Sequence, residues 1–337
     1  MDLALSDEQR QLVESFASLY ARVSASERVR AAEPGGFDAG LWDALRETGA
    51  VEMAVSEDVG GWGASPLELA LVAEQHGRTT GSAPIIEAQV AARLLARSGP
   101  AGGDLLAAAL AGDQMVVFAP RAASGSVFPL VHGGAVADAV VGLIDGRLVA
   151  MPIAGPMPVD NLGTLPLADI PVDGTATVLA QGAAARDLFS DALDLWLALT
   201  AAALTGAADR AVEIGVEYAK QRHAFGTPIG AFQAVSHPLA DCATACDGAR
   251  LLFLKAACAF TDEPVRATEL AAMAFAFAAE AARDSTRHSL HFHGGYGFGM
   301  EADIQLYYRR VRGWTMVFGE PAVALDRVAD ARYGVAG

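Results

Sequence analysis

The stretch Tyr218-Ala-Lys-Gln-Arg-His-Ala-Phe-Gly-Thr-Pro-Ile-Gly-Ala-Phe-Gln-Ala-Val-Ser-His-Pro-Leu-Ala-Asp241 decides how the chain is read. An Ala-rich amphipathic run leads into it, and Gly226, Pro228 and Gly230 stop that helix before a second apolar-periodic run begins. The spacing predicts a helix–turn–helix corner. On it stand Arg222, Phe225 and Gln233: a fixed cation, an aromatic plate and an amide, beside glycines that allow close backbone approach. A guanidinium's planar fork of donors matches phosphate oxygens two at a time, which suits the corner to a nucleotide. Spacing alone favours a plainer reading, with Arg222 a helix C-terminal charge supported by the macrodipole and Phe225 a packing residue.

The run as a whole turns that balance. Tyr-Ala-x-x-Arg-x-x-Phe-Gly-x-Pro-Ile-Gly-x-Phe-Gln-Ala-Val-x-His-x-Leu-Ala-Asp resembles the signature of the acyl-CoA dehydrogenase family. The resemblance implies that Arg222, Phe225 and Gln233 bind the nucleotide part of FAD. It extends to Leu41-Trp-x-x-Leu and to Val55-Ser-Glu-Asp-Val-Gly-Gly-Trp-Gly-Ala-Ser-Pro-Leu-Glu68, which are similar to the family's N-terminal helical domain. It also takes in His291-Phe-His-Gly-Gly-Tyr-Gly-Phe-Gly299, which looks like the family's Gln-x-x-Gly-Gly-x-Gly element. There His291 takes the usual Gln position and can still donate a hydrogen bond, while Gly294 and Gly295 let the backbone approach the adenosine diphosphate half of the flavin.

The rest of the chain sets bounds. Its 337 residues, 53% apolar, suffice for two or three packed domains. A formal net charge of −16 argues against nonspecific nucleic-acid binding, which needs clustered Lys and Arg. The N-terminus, Met1-Asp-Leu-Ala-Leu-Ser-Asp-Glu, lacks the basic-then-apolar order of a signal peptide. No apolar run of membrane-spanning length stands apart from a globular pattern, so a cytoplasmic chain without a membrane partner is expected. Cys242, Cys246 and Cys258 fall in one helical segment and read as small buried hydrophobes rather than metal ligands.

Three domains are expected: a helical domain over 1–113, a reduced β domain over 114–185 and a helical bundle over 186–337. Ser6-Asp-Glu-Gln9 and Ser65-Pro-Leu-Glu68 are capping boxes that open helices, and residues 37–47 form a short helix closed by Gly49. The glycine-rich loop over 56–65 carries two acids and no Lys or Arg, which excludes it as a phosphate cradle. Near residue 114 short β-branched runs begin, and Asp145-Gly146 signals a hairpin. Helices are expected again over 187–222, from a cap at Ser236 to about 260, from 261 to about 290, and in one last segment ending near 332. The fold class is mostly α with a small β domain; the resemblance makes it the acyl-CoA dehydrogenase fold, with a C-terminal four-helix bundle. The family's middle-domain Thr-Glu-Pro-x-x-Gly-Ser loop, which lies along the flavin, has no clear counterpart; residues 118–126 keep only a Pro, a Gly and two Ser.

His288, His291 and His293 invite a metal reading, but no carboxylate or cysteine stands at supporting spacing, so no metal is expected. Leu306-Tyr-Tyr-Arg-Arg-Val-Arg312 is the densest basic cluster and reads first as a structural patch answering acids such as Glu301 and Asp303. Dehydrogenation of an acyl-CoA thioester needs a carboxylate in a dry pocket to take the α proton. The resemblance offers two places for it. An ungapped match puts Phe318 in one and Trp196, ten residues before Gly206, in the other. Glu320 is the nearest substitute base, and its plainer reading is an acid at a helix N-terminus beside Pro321. Loss of both acids, with a degenerate middle domain, resembles the subunit of a heteromeric acyl-CoA dehydrogenase that does not carry the base. The resemblance then implies an acyl-CoA substrate, sterol-derived in the nearest subgroup, a second dehydrogenase-like subunit and an electron-transfer acceptor. A homomeric enzyme using Glu320 and a non-catalytic acyl-CoA-binding subunit are the alternatives.

Overall fold

The computed structural model describes residues 4–334. The N-terminal third is helical because local signals start and stop each element. Helix α1 (Asp7–Val23) opens on the Ser6 box: Ser6 Oγ accepts from the Gln9 amide at 3.2 Å and the Gln9 side chain accepts from the Ser6 amide at 3.0 Å. Helix α2 (Ser26–Ala32) follows, and α3 (Ala39–Glu47) is capped by Asp38 and closed at Gly49, whose φ of +68° needs glycine. Helix α4 (Pro66–Arg78) begins as its sequence requires, with the Ser65 amide donating to Glu68 Oε2 at 2.9 Å. Helices α5 (Ile85–Arg97) and α6 (Gly103–Ala111) complete this part.

Seven strands come next: β1 (Val116–Phe118), β2 (Val127–His132), β3 (Ala139–Ile144), β4 (Arg147–Pro152), β5 (Met157–Pro158), β6 (Leu167–Pro171) and β7 (Thr177–Gln181). They make two sheets, ordered β1-β3-β4-β7 and β2-β6-β5; only the β1–β3 pair is parallel. The β3–β4 hairpin turns on Asp145 and Gly146, at φ +47° and +72°, the doubly positive turn that a right-twisted two-residue hairpin requires. Val117, Phe128, Val131, Val140, Val149 and Ile170 from both sheets form one dry core.

The remainder is helical: α7 (Gly182–Gln221), a short hairpin of β8 (His223–Ala224) and β9 (Thr227–Pro228), α8 (Gln233–Asp262), α9 (Ala267–His293), α10 (Ile304–Phe318) and α11 (Pro321–Tyr333). Two local expectations are corrected. Ser236 does not cap α8; the helix starts at Gln233, and Pro238 is accommodated inside it while Ser236 Oγ donates to the Phe232 carbonyl at 3.2 Å. The last segment is two helices, because Pro321 forces Glu320 into extended backbone at φ −62°, ψ 148° and Gly319 takes φ +130°.

The chain divides into two compact units. One comprises Glu27–Leu69 and Ser82–Leu197 and contains both sheets. The other comprises the segments up to Ser26, Ala70–Gly81 and Ala198 onward. In the latter, α9 packs on α8, α10 and α11. Its core is alanine-rich: Ala203, Ala207, Ala271, Ala274 and Ala278 are fully buried around Leu199 and Phe275. Here α4 crosses α7 backbone to backbone, since a Cβ on Gly77 would overlap the Ala203 carbonyl and a Cβ on Gly206 the Glu74 carbonyl. Arg78 pairs with Glu213 at 2.6 Å and with Asp209, and Arg250 reaches the buried Glu74 at 2.8 Å. Helix α7, with 40 residues and so about 60 Å long, has an apolar stretch long enough to cross a membrane, but 83% of that stretch is buried inside the protein. It is a core helix.

Candidate functional site

The corner read from sequence is sharper than a helix–turn–helix. Residues 223–224 and 227–228 pair in antiparallel fashion, leaving Phe225-Gly226 as a two-residue turn at φ +53° and +80°. Such a turn favours Asn-Gly, so a β-carbon aromatic at its first position is held in a costly conformation. Phe225 is 98% exposed and touches the edge of Phe232, with centroids 6.2 Å apart. Arg222 and Gln233 are exposed too, and neither side chain has a hydrogen bond or ion pair among the described residues. The backbone around them is fixed: the Arg222 amide donates to Tyr218 O at 2.9 Å and its carbonyl accepts from Ile229 at 2.8 Å. Beneath the corner an apolar groove of 560 Å³ runs between Val212 and Val216 on α7 and Leu239 and Ala243 on α8.

The glycine element lies at the end of α9. Gly294 takes φ +60°, ψ −144°, which a side chain would strain, and neither Gly294 nor Gly295 has any atom within 4 Å of where a Cβ would stand. The open backbone and the exposed His291 fit close approach by a nucleotide. Next to His291, His293 is 8% exposed and stacks on Tyr218, with centroids 4.0 Å apart and planes at 22°. Its Nδ1–H donates to the Ser289 carbonyl at 2.7 Å. The stack brings the two motif segments together within one unit. Sequence reasoning singled out His291 and missed the packing role of His293.

The two places where resemblance looks for a catalytic acid are occupied by packed rings. Phe318 meets Phe275 edge-on at 5.7 Å. Trp196 is 1% exposed and donates Nε1–H to Glu87 Oε1 at 2.9 Å; His132 Nδ1 approaches the same oxygen at 3.0 Å. Glu87, His132 and Trp196 come from α5, β2 and α7 of one unit and are almost completely buried. Burial pushes the Glu87 carboxyl upward, but the His132 charge and the hydrogen bonds from His132 and Trp196 outweigh it and leave the group below its ordinary value. This cluster was not anticipated; its one visible signal is that Glu87 is the sole charge in the apolar run over 83–92.

Glu320 is exposed at the start of α11 and makes no capping bond. It lines a 340 Å³ cavity with Arg283, Arg312 and Thr315. The arginine cluster on α10 is largely structural. Arg310 is 2% exposed and donates to the Gly81 carbonyl at 2.8 Å, while Arg312 lies 3.6 Å over the Tyr308 ring. Asp303 accepts from Ser26 Oγ at 2.8 Å. Among the described residues no three His, Cys, Asp or Glu side chains converge as a metal site.

Comparison with known proteins identifies the family. The family model for the acyl-CoA dehydrogenase N-terminal domain matches residues 6–103, and that for the C-terminal domain matches residues 188–332. The chain is 30% identical to acyl-CoA dehydrogenase IpdE2 of Mycobacterium tuberculosis over 96% of each chain. Its fold is similar to that of a chain in the ChsE4-ChsE5 complex from Mycobacterium tuberculosis, with a TM-score of 0.90 at 23% identity over the whole of both chains. It is also similar in fold to PigA with FAD and proline, with a TM-score of 0.87 at 19% identity over the whole of both chains. Matched by both family models and by a full-length relative, the chain belongs to the acyl-CoA dehydrogenase family.

Proposed function

We propose that this chain is a subunit of an FAD-dependent acyl-CoA dehydrogenase, that it lacks the usual catalytic glutamate, and that it acts in the cytoplasm with a second, related chain. The observation that carries the reading is that Trp196 and Phe318 are packed rings, neither of which can take up an α proton. Arg222, Phe225, Gln233, His291, Gly294 and Gly295 bind the FAD nucleotide: Arg222 supplies charge to the pyrophosphate, Gln233 and His291 supply hydrogen bonds, and the glycines supply open backbone. Bound FAD supplies the acceptor for hydride from the acyl β carbon. The companion chain brings the carboxylate for the α proton, and a separate redox protein takes the electrons onward. An exposed Phe225 on a strained turn supports the need for another chain, because within its own chain an aromatic held in that conformation gains only the edge contact with Phe232. In this reading the subunit has a helical part over 1–113, a reduced β part over 114–185 and a helical part over 186–337.

The test is the visible spectrum and solution mass of the chain produced alone and with a base-bearing companion. Alone it is expected to be colourless; with the companion it is expected to be yellow and to bleach anaerobically with an acyl-CoA. A yellow homo-oligomer that bleaches alone would overturn the reading. A second reading then takes over, in which Glu320, lining its cavity beside Arg283 and Arg312, is the base. In that case Glu320→Gln stops turnover while flavin stays bound.

A further inference from the structure

The candidate nucleotide surface is built from two chain segments 58 positions or more apart. Arg222 lies one helical turn beyond Tyr218, whose carbonyl accepts the Arg222 amide at 2.9 Å. Gly294 follows directly after His293. Between these two points stands the Tyr218–His293 stack, at a 4.0 Å centroid distance and 22° between planes.

Everything around the imidazole restricts it. Its Nδ1–H is held by the Ser289 carbonyl at 2.7 Å, which fixes both tautomer and ring plane. A Cβ on Gly215 would stand 2.5 Å from Ser289 Oγ, so α7 and α9 approach closely one turn before the stack. On the other side Gly297 lies so near that a Cβ there would be 2.9 Å from His293 Cβ. Burial holds the imidazole below its ordinary value, with the Ser289 carbonyl pulling the other way, so the ring stacks as a neutral plate at neutral pH.

We propose that Tyr218 and His293 are positioning residues: their stack sets the spacing between the Arg222–Phe225 corner and the Gly294–Gly295 backbone, so that one adenine dinucleotide meets both. The ligand part of this inference rests on the FAD reading above; the spacing part does not. The stack acts only through its neighbours, and neither ring is itself exposed as the corner side chains are.

The experiment separates the two parts. In the chain without flavin, amide hydrogen exchange over 222–232 is measured in wild type, His293→Leu, His293→Phe and Tyr218→Leu. An aromatic stack of this kind is worth a factor of roughly three to ten. His293→Leu and Tyr218→Leu should each speed exchange there by that factor, and His293→Phe, which keeps a flat ring but not the Nδ1–H donor, should restore it. Unchanged exchange in Tyr218→Leu, or equal acceleration in His293→Leu and His293→Phe, would overturn the positioning role. In the flavin-loaded assembly the same leucine variants should release FAD about as much more readily, again with rescue by phenylalanine. Flavin absent from every wild-type assembly sinks the FAD reading and leaves the exchange result to stand or fall on its own.

Discussion

Replacing His132 by Leu should reveal how strongly the buried Glu87 carboxylate depends on its partner. Glu87 is 3% exposed, and its Oε1 accepts from Trp196 at 2.9 Å and from His132 at 3.0 Å. Removing one member of a buried pair leaves a charge with too few donors and costs about 3–5 kcal/mol, of which apolar burial of the leucine returns roughly 1–2. The net loss near pH 6.5 is therefore about 1–4 kcal/mol. Its pH dependence carries the argument. In wild type the Glu87 carboxyl is depressed, so its contribution is present above the unfolded pKa and is lost as pH falls through the folded one. In the variant burial prevails and the carboxyl is raised, so the penalty is present above the unfolded pKa and fades as acid neutralises the group. Urea denaturation of both proteins at pH 6.5 and pH 4.5 should show curves that converge in acid. Glu87→Gln in the same background removes the charge and should recover most of the loss. A gap of the same size at both pH values, or no recovery in the double variant, would refute the account.

Phe225→Asn gives the β8–β9 turn the residue its positive φ favours and should stabilise the isolated chain by about 1 kcal/mol in urea while weakening flavin retention in the assembled enzyme; a loss of stability would mean the turn is not strained. Arg250→Met strands Glu74, whose carboxyl burial raises despite the arginine; with Arg250 41% exposed the loss should be only about 1–2 kcal/mol, and larger at pH 7.5 than at pH 4.5. Burial pushes the Cys246 thiol up to about 12 and raises Cys242 as well, so neither should react with iodoacetamide at pH 8 before the protein unfolds, and rapid labelling of the native chain would contradict their placement.

Signals carried by neighbouring residues were legible. The Ser6 box and the Asp145-Gly146 turn depend on residue identity at fixed short spacing and form where their letters stand, while at Ser65 Glu68 takes the Ser65 amide as a box requires but Ser65 Oγ accepts from the Leu67 amide instead. The β8–β9 hairpin was hidden because Phe225 is a poor residue for positive φ, and the sequence therefore looked like a plain corner. Strand β2 was obscured by Pro129 within it and by the bulge at Leu130, where φ is +51° and the register shifts. The Glu87–His132–Trp196 cluster joins residues 45 and 64 positions apart, and no local pattern announces such a meeting. Among the histidines, the motif drew attention to the exposed His291, whereas burial and stacking belong to His293 two residues on.

The crossing of α4 and α7 is made by two absences. Most helix contacts can be retuned as one side chain grows while its neighbour shrinks, but at Gly77 and Gly206 there is nothing to shrink, because the opposing surface is peptide backbone. Substitutions around this point can therefore accumulate without moving the axes, while a single methyl at either glycine pushes two main chains apart at once. The joint behaves as a fixed pin in an otherwise forgiving alanine-rich interior, and inherited variation should be least tolerated where the molecule carries the fewest atoms.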